Sequence, residues 1–104
     1  MAGSPIPSLL QHGRIITENS NRARHLHPQF GVRQKDKRIA LPLIEALYLV
    51  ESKRIKVIDH RGKPVPFAAL CGLARRQSKD FWVSYVVFRD LRDKGYVVKT
   101  GLKF

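Results

Sequence analysis

The sequence of 104 residues has little of what secreted or membrane proteins depend on. It contains one cysteine, Cys71, so no disulfide can form within the chain, and a reducing, cytoplasmic environment is expected. It has no run of about 18 apolar residues, so no membrane-spanning helix is predicted. The opening residues lack the basic and apolar regions of a signal peptide.

The sequence is also poor in recognisable catalytic patterns. It has no glycine-rich phosphate loop, no telling pair of carboxylates and no Ser/His/Asp signature. His25 and His27 could face one side of a strand, but a third metal ligand with convincing spacing is absent. Cys71 falls on the apolar stripe of a predicted helix, where a small buried side chain is the simpler interpretation. We therefore predict no catalytic residue, no metal site and no cofactor.

Acidic residues are scarce, and their scarcity is the most unusual feature of the composition. Eight acidic residues stand against 20 basic ones, which gives a net charge of +12. The excess is spread along the whole chain, as in a folded domain with a broad positive field. Such a field attracts polyanions and favours a nucleic-acid partner.

The first part of the chain is predicted to form short strands and loops. Residues 1–8 hold two prolines and are expected to be a flexible lead-in. Short strands are predicted over Arg14–Thr17 and Ala23–His27, with turn residues between them. Residues 31–38 have no apolar period and are predicted to form an exposed basic loop. The candidate RNA-binding residues lie in this loop: Arg33, Lys35, Lys37 and Arg38.

Three helices follow, with one strand between the first two. The first begins at Leu41 or Pro42, runs to Val50 and is apolar on nearly every side, which places it at the centre of the core. A strand is predicted over Ile55–Ile58, and the second helix starts near Pro66. Ser78 is expected to cap the third helix, which spans residues 79–94.

The third helix has an apolar stripe and a clear stop signal. Phe81, Tyr85, Phe88 and Leu91 (or Val87) are predicted to face inward, whereas Arg89 and Arg92 are expected on the exposed side, and Trp82 could go either way. Gly95 suits the left-handed terminator of a helix, and a strand is predicted over residues 96–104. The resulting fold class is α+β, with three helices packed on a small, mostly antiparallel sheet.

Two segments together resemble one protein family. Leu43-Ile-Glu-Ala-Leu-Tyr-Leu-Val50 is followed downstream by Phe88-Arg-Asp-Leu-Arg-Asp-Lys-Gly-Tyr-Val-Val-Lys-Thr-Gly-Leu-Lys-Phe104. This combination is similar to the N-terminal part of archaeal tRNA-splicing (tRNA-intron) endonucleases. The resemblance covers most of residues 25–104, and it implies that residues 1–104 form a single domain like the N-terminal domain of that family.

The resemblance implies a role in RNA processing but no chemistry within this chain. Family members are metal-independent endonucleases that excise introns from precursor tRNA at bulge-helix-bulge structures, and they act as dimers or tetramers. Their cleavage uses a tyrosine, a histidine and a lysine in a C-terminal catalytic domain. None of these three can be matched to a position here, and Tyr96 and Lys99 belong to the linking strand.

The resemblance also implies a partner that completes the enzyme. The strand over residues 96–104 would lead toward the catalytic domain, and its apolar side chains are the candidate assembly residues: Val97, Leu102 and Phe104. The chain is therefore expected to be a non-catalytic subunit, a split-gene half or a fragment of a longer protein. Precursor tRNA and the catalytic half are the expected partners, in an oligomer without membrane association.

Two functions from other classes stay open at this point. A helix followed by Asp93-Lys-Gly-Tyr-Val-Val98 and a basic strand also suits a winged-helix DNA-binding module. That interpretation does not explain the almost wholly apolar first helix. A basic, ribosome-associated structural protein would account for the charge alone.

Overall fold

A computed structural model describes residues 4–97, which form one five-stranded sheet and four helices. This confirms the predicted α+β class, with one four-residue helix in addition to the three expected. The strands are β1 (Ile6–Gln11), β2 (Arg14–Thr17), β3 (Val32–Arg33), β4 (Ile39–Leu41) and β5 (Ile55–Ile58). The helices are α1 (Asn21–Arg24), α2 (Leu43–Glu51), α3 (Phe67–Gln77) and α4 (Phe81–Asp93).

The sheet is mostly antiparallel, as predicted. Its strands are hydrogen-bonded in the order β3-β4-β2-β1-β5, and only the pairing of β1 with β5 is parallel. A parallel pair needs a long crossover connection, and here that connection includes α2. This helix therefore returns across the sheet, where it contacts β5 and β2.

Strand β1 corrects part of the prediction of a flexible lead-in over residues 1–8, because residues 6–8 lie in the strand. Ile6 and Ser8 are buried and alternate with more accessible neighbours, as in a strand with one covered face. Pro5 and Pro7 concealed this strand from the sequence, because proline is unusual within a sheet. The Pro7 carbonyl still accepts a hydrogen bond from the Glu18 N–H, at 3.0 Å.

The strand predicted over Ala23–His27 is wrong, because this part of the chain begins with helix α1. The Ser20 hydroxyl caps the helix by accepting a hydrogen bond from the Ala23 N–H at 3.2 Å. Ala23, the second-last residue of α1, is fully buried. His25 and His27 follow the helix and are exposed. The capping residues thus outweigh the weak apolar alternation of the segment.

Helix α2 is the centre of the core, as predicted. It begins after Pro42 and has no exposed residue between Leu43 and Val50. Its buried side chains include Glu45, which is 1% exposed. A helix enclosed on this many sides fixes the positions of the elements around it.

Helices α3 and α4 confirm two further predictions and correct a third. Helix α3 starts directly after Pro66, and the inward stripe of α4 is formed by Phe81, Tyr85 and Phe88, all buried. Ser78 does not cap α4 with its side chain. It lies at the C-cap of α3 instead, and Asp80 precedes α4.

The end of α4 has the predicted glycine stop. Gly95 adopts a φ of +92°, and the Tyr96 N–H donates to the Leu91 carbonyl at 3.1 Å. Tyr96 and Val97 are exposed and belong to no strand. The rest of the strand predicted over 96–104, with Leu102 and Phe104, lies outside the described residues.

Candidate nucleic-acid interface and helix junction

The predicted basic loop is a hairpin at the edge of the sheet, here called the basic hairpin (residues 32–41). Strands β3 and β4 pair antiparallel, and β3 is an outermost strand. The connecting turn is closed by the Gln34 N–H, which donates to the Arg38 carbonyl at 2.8 Å. Lys37 has a φ of +74°, which places the chain in the left-handed region within the turn. The structure therefore brings all four candidate RNA-binding residues onto one short, fixed element.

The four cations of the basic hairpin differ in how their charge is balanced. The Arg38 guanidinium forms an ion pair with Asp36 at 2.7 Å. The pKa of the Asp36 carboxyl is lowered by the hydrogen bond from the Arg38 N–H and then by the Arg38 side chain. Arg33, Lys35 and Lys37 are exposed, and none of them is ion-paired with another residue in the range 4–97. Three positive charges are thus available to phosphate groups.

A buried carboxylate lies where the basic hairpin begins. Glu45 on α2 accepts a hydrogen bond from the Gly31 N–H at 2.7 Å. Gly31 is buried, adopts a φ of +69° and immediately precedes β3. The burial of an ionised carboxylate is costly unless hydrogen bonds and an opposite charge compensate it. The partners of Glu45 are therefore structural constraints of the core.

Arg92 on α4 is buried, which corrects the prediction that it is exposed. It is 8% exposed, and its guanidinium lies 3.9 Å from the centre of the Phe30 ring. It also donates to the Gln29 carbonyl. Burial lowers the pKa of Arg92, whereas the negative charge of Glu45 raises it. Glu45, Gly31, Phe30 and Arg92 are here called the Glu45 junction.

The spacing of α4 could have revealed Arg92. Phe81, Tyr85 and Phe88 recur at i, i+4 and i+7, and Arg92 continues the same stripe at i+11. Its long apolar stem can be buried while the guanidinium stacks on an aromatic ring. Position on the stripe is thus more informative here than residue type.

Three further contacts attach α4 to α2. The Tyr85 hydroxyl donates to the Glu51 carboxylate at 2.6 Å, and Arg89 pairs with the same carboxylate at 3.3 Å. Burial raises the pKa of Tyr85, and the bond to Glu51 raises it further. The Tyr48 hydroxyl donates to Asp93 at 2.8 Å. Helix α4 is therefore held along its length by α2.

The remaining candidate residues lie apart from the basic hairpin in the sequence. Val97 is 58% exposed. Trp82 is exposed on α4. Within residues 4–97, no cluster of histidine, cysteine, aspartate and glutamate side chains could hold a metal ion. The helices of this part of the chain are too short or too polar to cross a membrane.

Gly31 provides a test of the close packing at the start of the basic hairpin. An added Cβ would lie 2.5 Å from Ile39 Cγ2 and 2.6 Å from the Ala40 carbonyl oxygen. We expect Gly31→Ala to lower the free energy of unfolding by at least about 2 kcal/mol, because it combines about 1–2 kcal/mol of left-handed strain with overpacking. Urea unfolding would measure this.

The matched control is Gly62→Ala. Gly62 also has a positive φ, +79°, but no atom lies within 4 Å of the added Cβ. Its cost should be limited to the strain of about 1–2 kcal/mol. Equal losses for the two variants would show that the contact of Gly31 with β4 is not limiting.

Comparisons with known proteins identify two regions of similarity. Residues 6–71 match the family model of the tRNA intron endonuclease, N-terminal domain. Residues 81–104 match the family model of the tRNA intron endonuclease, catalytic C-terminal domain. The second match begins at Phe81, the first residue of α4.

Curated relatives extend over nearly the whole chain. The tRNA-splicing endonuclease of Pyrococcus furiosus is 41% identical over 96 residues, which is 91% of this chain and 56% of the relative. That of Pyrococcus horikoshii is 38% identical, with 96% and 59% covered. That of Methanococcus vannielii is 31% identical, with 95% and 56% covered. The chain thus spans a little over half the length of these relatives.

Proposed function

This chain belongs to the tRNA intron endonuclease family, and we propose that it supplies the N-terminal half of an enzyme that splices precursor tRNA. The observation that carries the proposal is the pair of family matches, which cover the N-terminal domain and then the start of the catalytic domain. The curated relatives named above are tRNA-splicing endonucleases. A winged-helix module or a ribosome-associated protein has no comparable support.

We propose that the chain is not catalytic by itself. The family resemblance assigns cleavage to a tyrosine, a histidine and a lysine of the catalytic domain. Only residues 81–104 match the model of that domain, and the segment is dominated by α4, whose tyrosine is committed to Glu51. A hydroxyl whose pKa is raised by burial and by a carboxylate is a poor general base at neutral pH.

The basic hairpin is the part of the chain that we propose to contact precursor tRNA. Arg33, Lys35 and Lys37 extend from an edge hairpin whose start is held by Glu45. Lysine and arginine at such a position neutralise phosphates without reading bases. Such contacts suit recognition of an RNA shape such as a bulge-helix-bulge. Arg38 is left out of the proposed contact because it is ion-paired with Asp36.

Assembly with the catalytic half is the second proposed role. Val97, Leu102 and Phe104 are the proposed contact residues, since they follow the Gly95 stop of α4 and are apolar. Burial of each such side chain in an interface would contribute roughly 1.5–3 kcal/mol.

The first prediction concerns cleavage. The purified chain alone should not excise an intron from a bulge-helix-bulge precursor tRNA, with or without divalent metal ions. Joined to the part of the Pyrococcus furiosus relative that lies beyond the aligned residues, it should form a hybrid protein that cleaves. Gel electrophoresis of labelled RNA would detect the products.

The control is the same C-terminal part of the relative without this chain. Excision by the chain alone would contradict the non-catalytic role. Equal cleavage by the C-terminal part alone would contradict the proposal that this half supports the reaction.

The second prediction concerns RNA binding by the chain alone. Affinity should fall with salt, because each neutralised phosphate contributes about 0.7–0.9 to the slope of log affinity against log salt. The triple variant Arg33→Glu, Lys35→Glu and Lys37→Glu should flatten that slope by about 2–3. Filter binding or fluorescence anisotropy at several salt concentrations would measure it.

A second triple variant with the same change in net charge serves as control. Lys53→Glu, Lys56→Glu and Lys63→Glu alter three exposed lysines outside the basic hairpin. The slope should change less in this variant. If both variants changed the slope equally, RNA binding would be explained by the overall positive charge of the protein and not by a specific contact with the basic hairpin.

The third prediction concerns assembly. In the hybrid protein, Val97→Asp together with Leu102→Asp should disrupt the contact between the halves and abolish cleavage, because the carboxylates would have to be buried without partners. Far-UV circular dichroism should show that α2 and α4 stay folded. Ala69→Asp, which adds a carboxylate at an exposed position of α3 outside both proposed contacts, should leave cleavage unaltered. Full cleavage by the double variant would exclude this contact.

A further inference from the structure

Helix α4 carries a second apolar surface, on the side away from its inward stripe. Trp82, Val83, Val86 and Val87 are 51%, 69%, 40% and 55% exposed. They occupy two neighbouring i, i+4 rows, so they form one continuous patch over two turns. This patch is here called the outer face of α4.

The composition of the outer face is unusual for a helix surface in water. Valine is among the weaker helix formers, since its branched side chain loses rotamer freedom in a helix. The three exposed valines therefore do not stabilise the helix, and they do not increase the solubility of the protein. Single exposed apolar residues are common on protein surfaces, whereas a contiguous exposed apolar patch typically marks an interaction site.

The outer face is held in a fixed position relative to the rest of the fold. On the opposite side of α4, Tyr85 is bonded to Glu51 and Arg92 is buried against Phe30. Phe81 and Phe88 are buried as well. The helix therefore cannot rotate to hide its valines without breaking these contacts.

A groove with two cations borders the outer face on the side of α3. Phe67, Cys71 and Trp82 line a cavity of about 680 Å³, together with the two cations Arg75 and Lys79. Both cations are exposed. A surface that covers the face should therefore be apolar at its centre and acidic where it meets these two residues.

We infer that the outer face of α4 is the docking site for the remainder of the catalytic domain. The match to the catalytic-domain model starts at Phe81, so α4 is by sequence the first element of that domain. An element of a domain buries a face against that domain's own core. Because the inward stripe of α4 is occupied by the N-terminal core, the outer face is the one left for this contact.

This inference rests on the proposed function and extends it. The proposed assembly contact lies after α4, at Val97 and beyond, whereas the docking site lies on the helix itself. One helix would then belong to two hydrophobic cores, with the N-terminal half presenting it already folded.

Thiol labelling of the hybrid protein tests the inference without relying on activity. In a Cys71→Ala background, a single cysteine is introduced by Val83→Cys on the outer face. Lys56→Cys on β5 provides a matched control, since Lys56 is exposed beside the buried Ile55 and Val57. The rate of reaction with a maleimide is compared between the chain alone and the hybrid protein.

We expect the cysteine at position 83 to react about tenfold or more slowly in the hybrid protein, because a covered thiol reacts only when the interface opens. The control at position 56 should react equally fast in both. Equal rates at position 83 in a hybrid protein that unfolds cooperatively would overturn the inference. Protection in the chain alone that increases with its concentration would also overturn it, by identifying a second copy as the occupant.

The two proposals can fail separately. A protected position 83 in a hybrid protein that does not cleave would support the docking site and count against the proposed function. Cleavage with position 83 fully reactive would support the proposed function and eliminate the docking site. As a second measurement, with the two halves supplied as separate chains, Val83→Asp with Val87→Asp should weaken their association, whereas Lys56→Asp should not.

Discussion

The buried carboxylate of Glu45 is the constraint around which the rest of the described structure is arranged. It lies on the most enclosed helix and is 1% exposed, so its charge needs partners within the fold. The Gly31 N–H bonds to it directly, and the buried Arg92, 61 residues further along the chain, interacts with its charge. Loss of the bond from Gly31 would leave the buried charge less well compensated, which is costlier than loss of a surface ion pair.

This arrangement places the physical boundary between the two halves away from the boundary seen in the sequence. The N-terminal family match ends at residue 71, and the catalytic match begins at residue 81. Arg92 lies within the catalytic match, yet it is buried against Phe30 of the N-terminal part. A cut between the two matched regions would thus remove Arg92 and the apolar side chains of α4 that are buried in the N-terminal core. Helix α4 is part of the N-terminal fold in energetic terms, whatever domain its sequence belongs to.

Much of the fold could be predicted from the sequence where one apolar period dominates. Helix α2, strand β5 and the start of α3 were found in this way, because burial on one or all sides leaves a clear pattern. Strand β1 was missed because Pro5 and Pro7 suggested a loop, although a sheet tolerates proline where the carbonyl can still pair. Helix α1 was missed because its stability comes from the Ser20 cap rather than from an apolar stripe.

The candidate site was predictable in composition but not in geometry. The four basic residues of the hairpin were recognised from their density, whereas the ion pair of Arg38 with Asp36 depends on a turn that no periodicity describes. Arg92 was misplaced because a charged residue was assigned to the surface by type. Its buried position depends on Phe30 and Gln29, which are 62 and 63 residues away in the sequence, and a local pattern carries no information about such contacts.

The same junction connects the two surfaces that the proposed function requires. Gly31 is the residue before β3, so the bond from its N–H to Glu45 determines where the basic hairpin leaves the core. Arg92 lies near the end of α4, so its position determines how that helix is held. Both elements are therefore positioned around the same buried carboxylate, and flexible linkers do not set their positions. An RNA held by the hairpin and a catalytic half seated on α4 would then share a fixed geometry, because the hairpin is held by the bond from Gly31 to Glu45 and α4 by the burial of Arg92 against Phe30.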